Sequence, residues 1–138
     1  MLRVVVDTNL WVSYALNPLK SNVRNLLLNQ EIELLTSEEQ VIELSEVLRR
    51  PKFQKSLQEN EVDQFLLMFK AAVLTVPVTS MVTVCRDAKD NFLLSLAKDG
   101  NADYLLTGDA DLLVLDVFEK TCICTIRAFL DKDNPDIP

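Results

Sequence analysis

Four acidic side chains, Asp7, Glu43, Asp90 and Asp109, occupy positions from which a fold could bring them together. Asp7 directly follows the apolar run Val4-Val5-Val6, and Asp109 follows Tyr104-Leu105-Leu106-Thr107-Gly108. Either could instead be a helix N-cap or turn acid, the ordinary use of aspartate after a strand. Asp90 carries a different signal. Leu93, Leu94 and Ala97 follow it at three, four and seven residues, so Asp90 heads the buried stripe of a helix. A carboxylate there is costly unless paired, capped or bound to metal. The plain alternative has Asp87 capping that helix and Asp90 completing its first turn. Glu43 lies at the boundary of an apolar face set by Val41, Leu44, Val47 and Leu48, from which it can reach a cleft. Glu46 lies nearly opposite that face and is the solvated control.

Converging acids without a histidine or lysine among them cannot all stay ionised unless cations intervene. Their hard oxygens select magnesium or manganese over zinc. Such an ion can lower the pKa of a bound water and polarise a phosphoryl oxygen. Thr8, Asn9, Thr107 and Asp111 are close enough in sequence to orient the ligands. Competing chemistries are excluded by composition. The chain has no histidine, which removes Ser-His-Asp and Cys-His catalysis and His-ligated zinc. It has two glycines, Gly100 and Gly108, too few to write either glycine-rich phosphate cradle.

The elements that must position these acids alternate between strand and helix. Leu2 to Val6 reads as a strand buried on both faces. A helix follows from Asn9 to about Leu16, then a short one capped by Ser21 and running through Leu28. Glu31 to Leu35 is a second strand, and Ser37 with Gln40 forms a capping box opening a helix to about Arg49. Pro51 suits the first turn of another short helix, and Asn60 opens a long helical segment through about Val73. The apolar Phe65 to Phe69 within it reads as core, with any exposed part suited to a dimer face or a docked helix. Thr75 to Val78, interrupted by Pro77, suggests an edge strand. Ala88 to Lys98 is helical, with Gly100 expected as a left-handed C-terminal cap. Tyr104 to Leu106 is a strand, Ala110 to Leu113 a helical turn and Thr121 to Ile126 the last strand. Such alternation predicts parallel β-α-β units in a three-layer α/β/α sandwich with a parallel sheet of four to five strands. Ligands of such sheets sit beyond the carboxyl ends of the strands, near a topological switch point. Asp7 and Asp109 would share that edge.

The 138 residues make one domain, residues 1–131, with a flexible C-terminal tail at 132–138. Net charge is −7, from 21 acids and 14 bases, so the usual basic footprint of a nucleic-acid binder is missing. A metal site built from four of those acids would account for a sizeable share of the surplus. Arg49, Arg50, Lys52 and Lys55 form the one dense basic cluster, suited to binding phosphate or to complementing a helix C-terminus. Cys85, Cys122 and Cys124 lack metal-ligand spacing and read as buried small hydrophobes. No apolar run has the length of a signal peptide or a membrane span, so the expected location is the cytoplasm, without membrane attachment.

The motifs Val4-Val5-Val6-Asp7-Thr8-Asn9, Glu43-Leu44, Asp90-Asn91-Phe92-Leu93 and Thr107-Gly108-Asp109-Ala110-Asp111-Leu112 together resemble the PIN-domain family. Within it, Glu43 to Leu48 and Ala102-Asp103-Tyr104 look like the VapC-like subgroup, the toxins of toxin–antitoxin pairs. The resemblance implies a ribonuclease dependent on Mg2+ or Mn2+, in which a metal-activated water cleaves RNA to leave a 5′-phosphate and a 3′-hydroxyl. It assigns Asp7, Asp90 and Asp109 as metal ligands, with Asp7 central, and Glu43 as ligand or water-orienting base. Asp87 and Asp111 match auxiliary acids, and Thr107 would hold ligands or a phosphate. An antitoxin partner and a homodimer or higher homo-oligomer are the associated expectations. Two other readings compete: a PIN-fold interaction module with weak catalysis, and an aspartyl phosphotransferase of the haloacid-dehalogenase type. The phosphotransferase requires a second acid where Asn9 stands, and a nearby lysine that the sequence does not make obvious.

Overall fold

A computed structural model describes residues 1–132 of the chain. The sheet is built from β1 (Leu2–Val6), β2 (Ile32–Thr36), β3 (Leu74–Thr75), β4 (Tyr104–Leu106), β5 (Val117–Phe118) and β6 (Thr121–Cys124). In space the strands run β3-β2-β1-β4-β6-β5. All pairings are parallel except β5 with β6. The order steps outward from β1 to β2, then jumps to the other side of β1 for β4. That reversal is the switch point, and it falls between the two strands that carry Asp7 and Asp109.

Among the described residues seven α-helices flank the sheet: α1 (Thr8–Leu16), α2 (Val23–Leu28), α3 (Glu38–Leu48), α4 (Glu59–Ala72), α5 (Ala88–Asp99), α6 (Ala110–Leu113) and α7 (Ile126–Lys132). They form the two outer layers expected of the α/β/α sandwich. Val4, Val6, Leu34 and Leu106 face one core with Trp11, Leu44, Leu48, Phe69 and Phe129. Val5, Leu35, Leu105 and Ile123 face the other, with Leu93, Leu94, Leu96 and Leu112. The uninterrupted valines of β1 are explained by this sandwiching, since successive side chains enter opposite cores. Among the described residues no helix is long and apolar enough to cross a membrane.

Several local expectations change. The sheet has six strands, not four to five, because Val117–Phe118 folds back on β6 as a hairpin turned through Glu119 at φ 51°. No glycine marks that turn in the sequence. The last strand stops at Cys124, and the Thr125 hydroxyl accepts from Ala128 N at 3.1 Å to open α7, which the sequence reading lacks. Ser37 accepts from Gln40 N as expected, but the Gln40 side chain does not return to close the box. Its amide is drawn into the core, donating to the Val6 carbonyl at 2.7 Å and accepting from Thr36 Oγ1 at 2.6 Å. The long helix starts at Glu59, not Asn60, where Glu61 accepts from Gln58 N. Along α4, Leu66 and Phe69 are core, whereas Leu67 is exposed. The cysteines are half-buried, not fully buried. The expected tail lies, beyond Lys132, outside the described residues.

Gly100 is the most instructive correction. It sits at φ −84°, and Asn101 takes the left-handed position at φ 51°. Glycine is favoured at 100 by space instead of backbone freedom. A Cβ there would come within 2.8 Å of Leu35 Cδ1 and 3.0 Å of the Leu96 carbonyl oxygen. Gly100→Ala should therefore lower stability by roughly 1–3 kcal/mol. A urea-unfolding midpoint equal to that of the wild type would refute this account.

Candidate active site

The site begins with the C-terminal ends of β1 and β4. Asp7 is the N-cap of α1; its Oδ1 accepts from Asn9 N at 3.0 Å. Its Oδ2 accepts from Thr107 Oγ1 at 2.6 Å. The same Thr107 oxygen accepts from Asp109 N at 3.0 Å, so one buried hydroxyl joins both aspartates. Asp109 in turn caps α6, accepting from Asp111 N at 2.9 Å. The N-cap reading of Asp7 and Asp109 is thus correct for one oxygen of each. It does not exclude a second role for the other.

Asp87 caps α5 through Lys89 N at 2.9 Å, and Asp90 is in the first turn with its side chain inward. The loop leading into α5 is pinned by Asn91, which accepts from Cys85 N at 2.8 Å and donates to the Cys85 carbonyl at 2.9 Å. Asp90 is only 5% exposed, and its Oδ2 is buried without a hydrogen-bond partner. Burial, then the charge of Asp109 and a hydrogen bond shared with its carboxyl, then the charges of Asp87 and Asp7, push the Asp90 carboxyl up from 3.8 to about 6. The same surroundings act on the neighbouring thiol: burial, then Asp90, Asp111 and Asp109, raise Cys85 above its ordinary value.

Asp7, Glu43, Asp87, Asp90 and Asp109 line one cleft of about 210 Å³, together with Thr8 and Asn9. All four acids of the sequence reading therefore meet. Glu43 arrives from α3, whose Gln40 one turn earlier is tied to the end of β1. Glu46 is exposed on α3 and does not line this cleft. The tightest group is Asp90, Asp109 and Asp111, which each offer a carboxylate oxygen within 4.8 Å of the others. Asp111, expected as an auxiliary acid, thus joins the tightest set, where the sequence reading has Asp7. An all-oxygen set with one buried, unpartnered carboxylate oxygen fits a hard divalent cation.

The basic cluster divides. Arg50 lines the cleft. Arg49 turns the other way and pairs with Glu59 and, at 2.7 Å, Asp63, fastening α3 to α4. These acids raise the Arg49 guanidinium above its ordinary value, with the Asp63 hydrogen bond the first cause. Lys52 lies over the Phe53 ring, and Lys55 is exposed. Sequence reasoning missed Lys89. It lines the cleft, and its Nζ lies 3.6 Å from Glu43 Oε2. A helix-start lysine reads as solvated, and only the packing of α5 beside α3 brings it here. The expected absence of a nearby lysine is corrected accordingly.

Residues 3–111 match the PIN domain family. The chain belongs to that family. An uncharacterized protein of Methanocaldococcus jannaschii, MJ1680, is 30% identical over 117 residues, covering 83% of this chain and 75% of its own. Two solved structures share the PIN architecture. A chain of VapBC2 from Rickettsia felis, bound to a DNA fragment from its promoter, superposes with TM-score 0.61 at 16% identity, covering 88% of this chain and 97% of that one. VapC20 of Mycobacterium tuberculosis, a Sarcin-Ricin loop cleaving toxin, does so with TM-score 0.59 at 13% identity, covering 84% and 97%. Every acid of the cleft falls within the matched PIN span.

The raised carboxyl of Asp90 has a defined sign. The folded chain holds this proton more tightly than the unfolded chain. The stability it gives is full below about pH 4 and is lost as the pH rises through about 6. In chelator, Asp90→Asn should melt higher than the wild type at neutral pH, and the gap should close toward pH 4. An Asp90→Asn protein that melts lower at neutral pH would show that the carboxylate is satisfied.

Proposed function

We propose that this PIN protein is a divalent-metal-dependent endoribonuclease and the toxin of a toxin–antitoxin pair. One observation carries the reading: in a PIN-family chain, Asp7, Glu43, Asp90 and Asp109 converge in one cleft, with an Asp90 oxygen left unpartnered. Asp90, Asp109 and Asp111 would hold Mg2+ or Mn2+, with Asp7 beside them. When bound, the ion supplies a more acidic water and polarises a phosphoryl oxygen. The chain's own groups do the rest. Thr107 ties the Asp7 carboxylate to the backbone of Asp109, which holds the two residues side by side. Glu43, across the cleft on α3, orients the attacking water and accepts its proton. The water oxygen bonds to phosphorus as the P–O3′ bond breaks. The departing oxygen takes a proton from solvent water to become the 3′-hydroxyl, Glu43 returns its proton to solvent, and the phosphate stays on the 5′ side.

The RNA substrate and the antitoxin are supported by the VapC-like pattern of the sequence and by the fold shared with VapC20. A catalytically weak interaction module would not need a buried carboxylate oxygen left without a partner. The aspartyl phosphotransferase now has its lysine in Lys89, but Asn9 still stands where it needs an acid.

Metal-dependent cleavage of RNA should stop in chelator. Asp7→Asn and Asp109→Asn should each lower kcat/KM by roughly a hundredfold or more, whereas Glu46→Gln should cleave like the wild type. Cleavage that survives both chelator and Asp7→Asn would refute the site.

A further inference from the structure

Two cationic side chains line the acidic cleft, Arg50 from the end of α3 and Lys89 from the first turn of α5. The backbone of Lys89 is fixed, because its N–H donates to the Asp87 cap. The side chain reaches back across the cleft to Glu43, bridging α5 and α3 at 3.6 Å. It remains 61% exposed, so the ammonium is not spent on a buried pair. The other cations named from the sequence are placed differently. Arg49 is held by two acids of α4, and Lys52 lies over Phe53.

A phosphodiester entering this cleft meets Asp7, Glu43, Asp87, Asp90 and Asp109. Such a polyanion is repelled unless countercharge stands beside it, and a divalent ion on the carboxylates supplies only part of that. A lysine ammonium is compact, carries three donors and swings on a flexible stem. It can keep Glu43 and take up a phosphate oxygen at the same time. We propose that Lys89 is a phosphate-binding residue that seats the RNA backbone against the acidic cluster, with Arg50, just past the end of α3, as its neighbour across the cleft. The inference rests on the ribonuclease reading and adds to it a residue outside the acidic set. Because Lys89 is exposed, its contribution is screened by salt. It acts on phosphate, so it is indifferent to base sequence.

The test uses a fluorescently labelled single-stranded RNA of randomised sequence and measures kcat/KM with Mn2+ over a salt series. Lys89→Gln should lower kcat/KM by about five- to tenfold at low salt. The dependence of log kcat/KM on log salt should become shallower by about 0.7, the share of one phosphate contact to a single strand. Lys89→Arg should recover most of the rate and the slope. Lys98→Gln, at the far end of α5, should change neither. The rise in melting temperature on adding Mn2+ should be the same in Lys89→Gln as in the wild type, since the carboxylates are intact. A Lys89→Gln protein that cleaves like the wild type at every salt concentration overturns the inference. So does a loss of rate with an unchanged salt slope, which would limit Lys89 to holding Glu43. A wild-type protein without metal-dependent cleavage overturns the ribonuclease reading itself, and Lys89 with it.

Discussion

A single buried hydroxyl sets the geometry on which this site depends. Thr107 Oγ1 donates to Asp7 Oδ2 and accepts from Asp109 N, and so ties the end of β1 to the turn after β4. It can do so only because the strands are parallel neighbours in the register that pairs Val6 with Leu106. A slip of one residue would send every side chain of a strand to the opposite face. The valines of β1 forbid it, since Val4 and Val6 fill one core while Val5 fills the other. The apolar sandwich therefore specifies the position of a polar site that contributes nothing to its packing. Gln40 extends the arrangement to α3. Its amide donates to the Val6 carbonyl, so Glu43 one turn later faces the cleft.

Crowding several carboxylates at one sheet edge is unfavourable, and the fold offsets part of that cost with helix N-termini. Asp7, Asp87 and Asp109 each accept from the backbone N–H two residues on, at the starts of α1, α5 and α6. Each acid thus satisfies a helix donor and sits near the positive end of a helix, an effect worth about 0.3–1 kcal/mol apiece. Asp90 has no such arrangement. It lies past its cap, inside the helix, with one oxygen lacking a donor. Burial first, and then the repulsion of the neighbouring acids, raises the affinity of this carboxyl for a proton. A cation would satisfy the same oxygen. Strain held at one buried group, with its neighbours individually content, is what a site prepared for a positive ion requires.

How much of this could be read from the sequence follows from the range of each signal. The strand-to-aspartate steps at Val6-Asp7 and after Leu106 were legible because a buried strand is continuous and apolar, and its end is abrupt. Asp90 was legible because helical periodicity puts it on the stripe of Leu93, Leu94 and Ala97. Local chemistry without a local signature was not. The β5 hairpin turns without glycine, and Asn101 takes the left-handed position that Gly100 was expected to fill. Tertiary placement was the hardest to read. Arg49 and Arg50 are adjacent in sequence and basic alike, yet one fastens α3 to α4 and the other enters the cleft. Lys89 reads as a solvated residue until α5 is laid beside α3. Asp111 reads as an accessory until the turn of α6 brings its carboxylate within reach of Asp90.

The acidity of the chain then becomes part of how it would treat a polyanion. Several of its basic side chains are engaged with acids: Arg3 with Glu33, Arg49 with Glu59 and Asp63, Lys98 with Glu119 and Lys120 with Asp103. A surface of this kind offers RNA little long-range attraction, and loose binding along the backbone supplies no affinity in advance. On the ribonuclease reading, association must be earned at the cleft, where Arg50, Lys89 and a cation on the carboxylates lie within a few side chains of one another. RNA would then be held only weakly outside the cleft, because the rest of the surface offers it few free phosphate contacts. What is retained must fit its backbone into a cleft of about 210 Å³ with the scissile phosphate beside Asp90. On that reading the net charge of −7 would not oppose action on RNA; it would move selection from the surface of the protein to the site.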